Sequence, residues 1–219
     1  MSEYRTDEET VEQIQRFWRE NGLALVLTVV VAVGGVLGWR WWQESRATEI
    51  AAASARYLEW REALGEDGAA TAASERIAAT LRERRPDSAY ASLLRFHAAR
   101  RAVLEDDLAA ARAELEAVLA TGLPVAFHDL ARLRLARLDL AAGAPRDALA
   151  QLDAIEGGEE MPTVLELRGD VLLALEEIDG ARAAYDAALI LADGGGAGGS
   201  LLEIKREDLA LGDVPEPRR

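Results

Sequence analysis

The sequence predicts an all-α chain, with one N-terminal membrane-spanning helix followed by a solenoid of helical hairpins. Three observations carry this expectation. Asn21 to Trp39 is a run of 19 residues without a charge. Beyond residue 40 alanine and leucine dominate while valine and isoleucine are scarce, a bias that favours helix over strand. Three later segments also share one internal spacing of small and large apolar residues, offset by 37 and then 33 residues.

The 219 residues carry a net charge of -14 and no cysteine. Half the chain is apolar, enough to build a core and to set disorder aside. The acidic balance excludes a nucleic-acid partner, because phosphate binding needs a lysine or arginine footprint. Absent cysteine excludes disulfides, thiolate catalysis and cysteine-based zinc sites.

Residues 1–20 form an acidic tail with six carboxylates against three arginines, unlike the short basic start of a signal peptide. Residues 21–42 form the transmembrane helix. Leu23 to Trp42 rises about 30 Å as a helix, the thickness of the bilayer hydrocarbon. Phe17 and Trp18 flank one end; Trp39, Trp41 and Trp42 flank the other, an aromatic belt at each interface. Arg40 is placed to snorkel to the headgroups. Arginines balance across the helix, so charge assigns no side to the domain. Gly34 and Gly38 make a G-x-x-x-G pair with Gly35 beside them, a face on which another helix can pack closely.

Residues 43–193 form the repeat domain. Ala99 is followed after twelve residues by Ala111, then by Leu115 and Val118; Ala136 by Ala148, Leu152 and Ile155; Gly169 by Ala181, Tyr185 and Ala188. The small pair marks the close crossing of two antiparallel helices, and the larger residues fill the space toward the next hairpin. This spacing resembles the tetratricopeptide repeat, most closely in the third unit. Thr48 to Leu64 and Ala69 to Arg84 are expected as a degenerate N-terminal pair, turned at Gly65 and Gly68 and stopped by Pro86, with Ala73, Ile77 and Thr80 in register. Residues 194–199 are a glycine-rich break. Ser200 and Glu203 offer a capping box for a last helix over 200–211, and residues 212–219 are a frayed tail.

No chemistry is legible. The two histidines, His97 and His128, have no metal-ligand spacing, no nucleophile motif exists, and the glycine run lacks the lysine and strand of a phosphate loop. The expectation is no catalytic residue, no metal and no cofactor. What a repeat solenoid offers instead is a groove for polypeptides. Its strong negative charge serves solubility, and could bias it toward basic clients.

Arg16, Phe17, Trp18, Glu20, Asn21 and Gly22, followed by Gly38, Trp39, Arg40, Trp41 and Trp42, resemble the YfgM family of bacterial inner-membrane proteins. The end segment LLEIKREDLAL is similar to that family's terminal helix. The resemblance implies a single-pass, chaperone-like accessory of the SecYEG translocon, with a cytoplasmic N-terminus and a periplasmic repeat domain. It implies a PpiD-like membrane-anchored chaperone as partner, and a role in passing client polypeptides of the secretion route to periplasmic folding factors. Two alternatives remain open at this level. One is a membrane tether that regulates a cytoplasmic stress-response regulator through residues 1–20; the other is a generic envelope-assembly scaffold.

Overall fold

The computed structural model describes residues 7–192 and 197–212. Among them are nine α-helices and no strand. They form two compact units, Met1–Ala55 and Arg56–Arg219. The second unit opens at Arg56, inside the expected repeat range of 43–193. Helix α1 runs Asp7–Glu62 without a break, so the expected separate helix from Thr48 is its last part. No proline or glycine stands between Trp42 and Glu62 to end it.

In the first unit α1 keeps its apolar side chains exposed, Leu23, Val31 and Leu37 among them. This is the one helix among the described residues long and apolar enough to cross a membrane.

In the second unit α2 (Ala72–Arg84) is followed by three hairpins: α3 (Ala89–Leu104) with α4 (Leu108–Leu119), α5 (Val125–Ala141) with α6 (Pro145–Asp153), and α7 (Pro162–Ala174) with α8 (Ile178–Leu191). Helix α9 spans Ala197–Gly212. The starts are chemically marked. Ser88 accepts from the Ala91 N–H, Asp107 from the Ala110 N–H, and prolines open α6 and α7. Thr71 and Ser74 form a reciprocal capping box, which starts α2 at Ala72 and not at Ala69.

All three hairpins turn in the same way. The first helix ends on a left-handed residue five positions before the small residue of the second helix: Asp106 (φ 61°), Gly143 (φ 74°) and Glu176 (φ 63°). Each turn is closed by the same long backbone bond, Asp107 N–H to Ala102 O, Ala144 N–H to Asp139 O and Glu177 N–H to Leu172 O, at 2.8–2.9 Å.

Each core borrows a wall from the next unit. Hairpin α3–α4 packs with Ala131 and Leu138 of α5; α5–α6 with Val164 and Val171 of α7; α7–α8 with Leu202 and Leu209 of α9. These pairs are all seven residues apart and occupy one register. Helix α9 is therefore the register-equivalent of a fourth first helix, and its buried leucines fix its place. This packing outweighs the poor helix propensity of Gly198 and Gly199. Ser200 consequently lies inside α9. The other expectations for the glycine run and for the tail fall on 193–196 and 213–219, outside the described residues.

The first register expectation was off by one. Ala73 and Thr80 are exposed, whereas Ser74, Ala78 and Leu81 are buried with the spacing of four and three seen in the other units. Ser74 stands 37 residues before Ala111. A serine is unexpected at this buried position, but the Thr71 backbone N–H donates to its Oγ at 2.9 Å, and its own hydroxyl donates to the Thr71 carbonyl.

Two substitutions test these packing statements in the full chain, read by thermal or urea unfolding. Gly169→Ala places a Cβ into the fully buried Tyr185 ring and should destabilise the repeat unit by about 2–3 kcal/mol. Glu176→Gly relieves a left-handed backbone at an exposed turn and should stabilise it by about 1 kcal/mol.

Candidate protein-interaction surfaces

The residues flanking the apolar helix are arranged by local contacts. A Cβ on Gly22 would lie 2.9 Å from the Trp18 ring, so this glycine lets the indole one turn earlier lie flat along α1. Asn21 Nδ2 donates to the Phe17 carbonyl at 3.4 Å. At the other end the Trp39 and Trp42 rings lie 5.1 Å apart, and the Arg46 guanidinium covers Trp42 at 4.3 Å. Phe17, Trp18, Trp39, Arg40, Trp41 and Trp42 all remain exposed. Gly34, Gly35 and Gly38 are exposed too, and a side chain added to any of them would meet no atom of this chain within 4 Å.

The repeat-packing residues have the opposite fate. Ala99 with Ala111, Ala136 with Ala148, and Gly169 with Ala181, Tyr185 and Ala188 are all buried in the hairpin cores. They build the frame and present nothing to a ligand. What they position is the outer row of the first helices. The residue after each small position is Arg100, Arg137 and Asp170; the residue two before it is His97, Arg134 and, in the third unit, Leu167, which is buried instead. Sequence reasoning passed over this row, although the 37-residue offset between His97–Arg100 and Arg134–Arg137 was there to be read.

At the start of the row a cleft of about 340 Å³ opens between the end of α1, α2 and α3. Trp60, Leu64, Leu94 and Leu104 supply apolar wall, and His97, Arg82, Arg100 and Arg101 supply polar wall. His97 stacks on Trp60 with centroids 4.8 Å apart, and Tyr57 stands 5.5 Å from Tyr90. Most of the surrounding arginines are committed. Arg82 and Arg95 share the two oxygens of Glu114 at 2.7 and 3.1 Å, Arg101 pairs with Glu75, and Arg112 pairs with the buried Asp139. Arg100 and Arg137 make no ion pair among the described residues.

Burial, then the charges of Arg100 and Arg134, hold the His97 pKa below its ordinary 6.5. His128 is engaged elsewhere, its Nε2 3.0 Å from the Thr121 carbonyl. No group of three or more potential metal ligands exists among the described residues.

At the far end the chain's one lysine closes the unit. Lys205 Nζ on α9 lies 2.8 Å from Glu166 and 2.9 Å from both carboxylate oxygens of Asp170, and the Tyr185 hydroxyl donates to Asp170 at 2.7 Å. Burial, the hydrogen bond to Asp170 and the nearby carboxylates together push the Tyr185 pKa far up. Burial opposes the Lys205 charge, but its two hydrogen-bonded carboxylates outweigh that and raise its pKa.

The profile of the tetratricopeptide repeat-like domain matches residues 15–211, so it takes in the apolar helix as well as the hairpins. The chain is 30% identical over 212 residues to a protein of Escherichia coli (strain K12) named ancillary SecYEG translocon subunit, covering 96% of this chain and all of that one. It is 27% identical to a protein of the same name from Haemophilus influenzae, over 83% of this chain and 88% of that one. A third of that name, from Aggregatibacter actinomycetemcomitans, is 27% identical over the same shares. No solved structure matches the chain.

The histidine geometry gives a direct test. The ring resonances of His97 in the full chain should titrate below pH 6.5, and Arg100→Gln should move the midpoint up by removing one of the opposing charges. Because folding lowers this pKa, the unfolded chain takes up the proton first. The stability contributed by neutral His97 is present above pH 6.5 and is lost as the pH falls through that value toward the folded pKa.

Proposed function

We propose a function from one premise: this chain belongs to the tetratricopeptide repeat-like family of ancillary SecYEG translocon subunits. On our reading it is a membrane-anchored accessory of the Sec translocon, a holding protein with no reaction of its own. The observation that carries this reading is coverage. The Escherichia coli relative aligns over its whole length, so anchor and repeat unit come to this chain together.

In this proposal the apolar helix sits in the bacterial inner membrane with the N-terminus cytoplasmic and the repeat unit periplasmic. The Gly34–Gly38 face packs against a membrane helix of SecYEG or of a PpiD-like membrane-anchored chaperone. The repeat unit engages client polypeptides as they emerge and passes them to periplasmic folding factors. The open glycine face supports the first part, since among the described residues nothing covers it. The cleft, with Arg100 unpaired on its wall, supports the second.

Gly38→Leu adds a side chain that meets nothing in its own chain, so fold and membrane insertion should survive. Recovery of SecYEG on affinity purification of the full chain from membranes should fall about tenfold, the scale of one lost helix-packing contact. Unchanged recovery removes that face from the mechanism. Crosslinkers placed at Leu104 and at Gly38 should capture a periplasmic chaperone and a translocon component respectively. Capture of neither would refute the translocon reading.

A further inference from the structure

The repeat register presents the same slot at both ends of the unit and fills it with opposite electrostatics. At the C-terminal end Lys205 lies against Asp170 and Glu166, which follow and precede Gly169 by one and three residues. Its Nζ also lies 5.9 Å from the Tyr185 ring centroid. This is a complete intrachain ion cluster between one first helix and the next.

At the N-terminal end Arg134 takes the place of Lys205, but Arg100 stands where Asp170 stands and Phe96 where Glu166 stands. The Arg134 guanidinium lies over the Phe96 ring at 4.6 Å, with Nη1 3.5 Å from the Phe96 carbonyl oxygen. Burial, then the charges of Arg137 and Arg100, lower its proton affinity. The chain has 39 acidic residues, and it uses them to pair Arg82, Arg95, Arg101 and Arg112 nearby. None answers Arg100, Arg134 or Arg137 among the described residues. Arg134 is half-buried while Arg100 and Arg137 beside it are exposed, and a like-charge cluster around a half-buried cation is relieved when an anion arrives. The apolar wall of Leu64, Leu94 and the exposed Leu104 continues from Arg100 in the same cleft.

We propose that this arginine row and the cleft beside it hold an acidic segment of a partner polypeptide. A partner carboxylate occupies, between Arg100 and Arg134, the place that Asp170 occupies against Lys205, and an apolar side chain enters toward Leu104. The preference is opposite to the one the net charge of the chain suggests. That the occupant is a polypeptide rests on the protein-holding role proposed above; its acidity rests on the slot alone.

The test uses the full chain in phosphatidylcholine nanodiscs and the fluorescence anisotropy of a short labelled peptide of alternating Glu and Leu. A matching peptide with Gln for Glu should bind about tenfold more weakly. Arg100→Asp recreates the arrangement of the last unit. It should leave the helical signal and thermal midpoint intact or improved while weakening the Glu peptide about tenfold, and Arg76→Asp, an exposed change on α2, should leave binding unchanged. Equal binding of the two peptides, or an Arg100→Asp variant that binds as before, overturns the proposal. So does displacement of the peptide by phosphatidylglycerol vesicles in an Arg100-dependent manner, which would make the slot a lipid-headgroup site. If the peptide behaves as expected while SecYEG is not recovered with the chain, the inference stands and the translocon reading falls. The reverse result keeps the translocon reading and removes the acidic segment.

Discussion

Everything in the repeat unit depends on one contact, the close crossing of the two helices in each hairpin. It requires a small residue on both sides, and the chain supplies Ala99 with Ala111, Ala136 with Ala148 and Gly169 with Ala181, all buried. The crossing fixes the turn as well. A left-handed residue five positions before the second small residue brings the chain around, even where that residue is Asp106 or Glu176 and the backbone is strained by about 1–2 kcal/mol. The third crossing shows how little room there is. Gly169 has no side chain because the Tyr185 ring fills that volume, which spares the ring an exposed position and delivers its hydroxyl to Asp170.

No hairpin closes its own core. Each leaves an apolar face that the next first helix covers with a pair of residues seven apart, and Leu202 and Leu209 on α9 do so for the third core. A fully buried leucine contributes about 2 kcal/mol, so two of them hold a helix that its opening glycines would not sustain alone. Lys205 ties the same helix to two carboxylates on α7. Covering the third core in this way keeps its apolar face from water.

Charge follows the same geometry and departs from the average. A net -14 suggests a surface that repels acidic partners, yet the outer row of the first two hairpins carries Arg100, Arg134 and Arg137 without a carboxylate. The excess negative charge lies elsewhere on the unit. On α1 the burial logic is inverted: apolar and aromatic side chains are exposed along a helix long and apolar enough to cross a membrane.

Much of this was determined by the sequence alone. The uncharged run with its aromatic flanks specified the anchor, and the spacing of twelve, four and three specified the hairpins, because both are set by local helical periodicity. The resemblance at Arg16 to Gly22 and Gly38 to Trp42 pointed to the family. Other features were decided only by tertiary packing. Whether α1 stops at Trp42 or runs to Glu62 depends on contacts that no local breaker announces. Ser74 holds a core position that an apolar reading assigns to Ala73, because its hydroxyl is satisfied by Thr71. Helix α9 holds its place because Leu202 and Leu209 are buried against the third hairpin. The charge of the groove belongs to this second class: an arginine is the same letter whether it meets a glutamate or another arginine, and only the fold decides which neighbour stands in the slot.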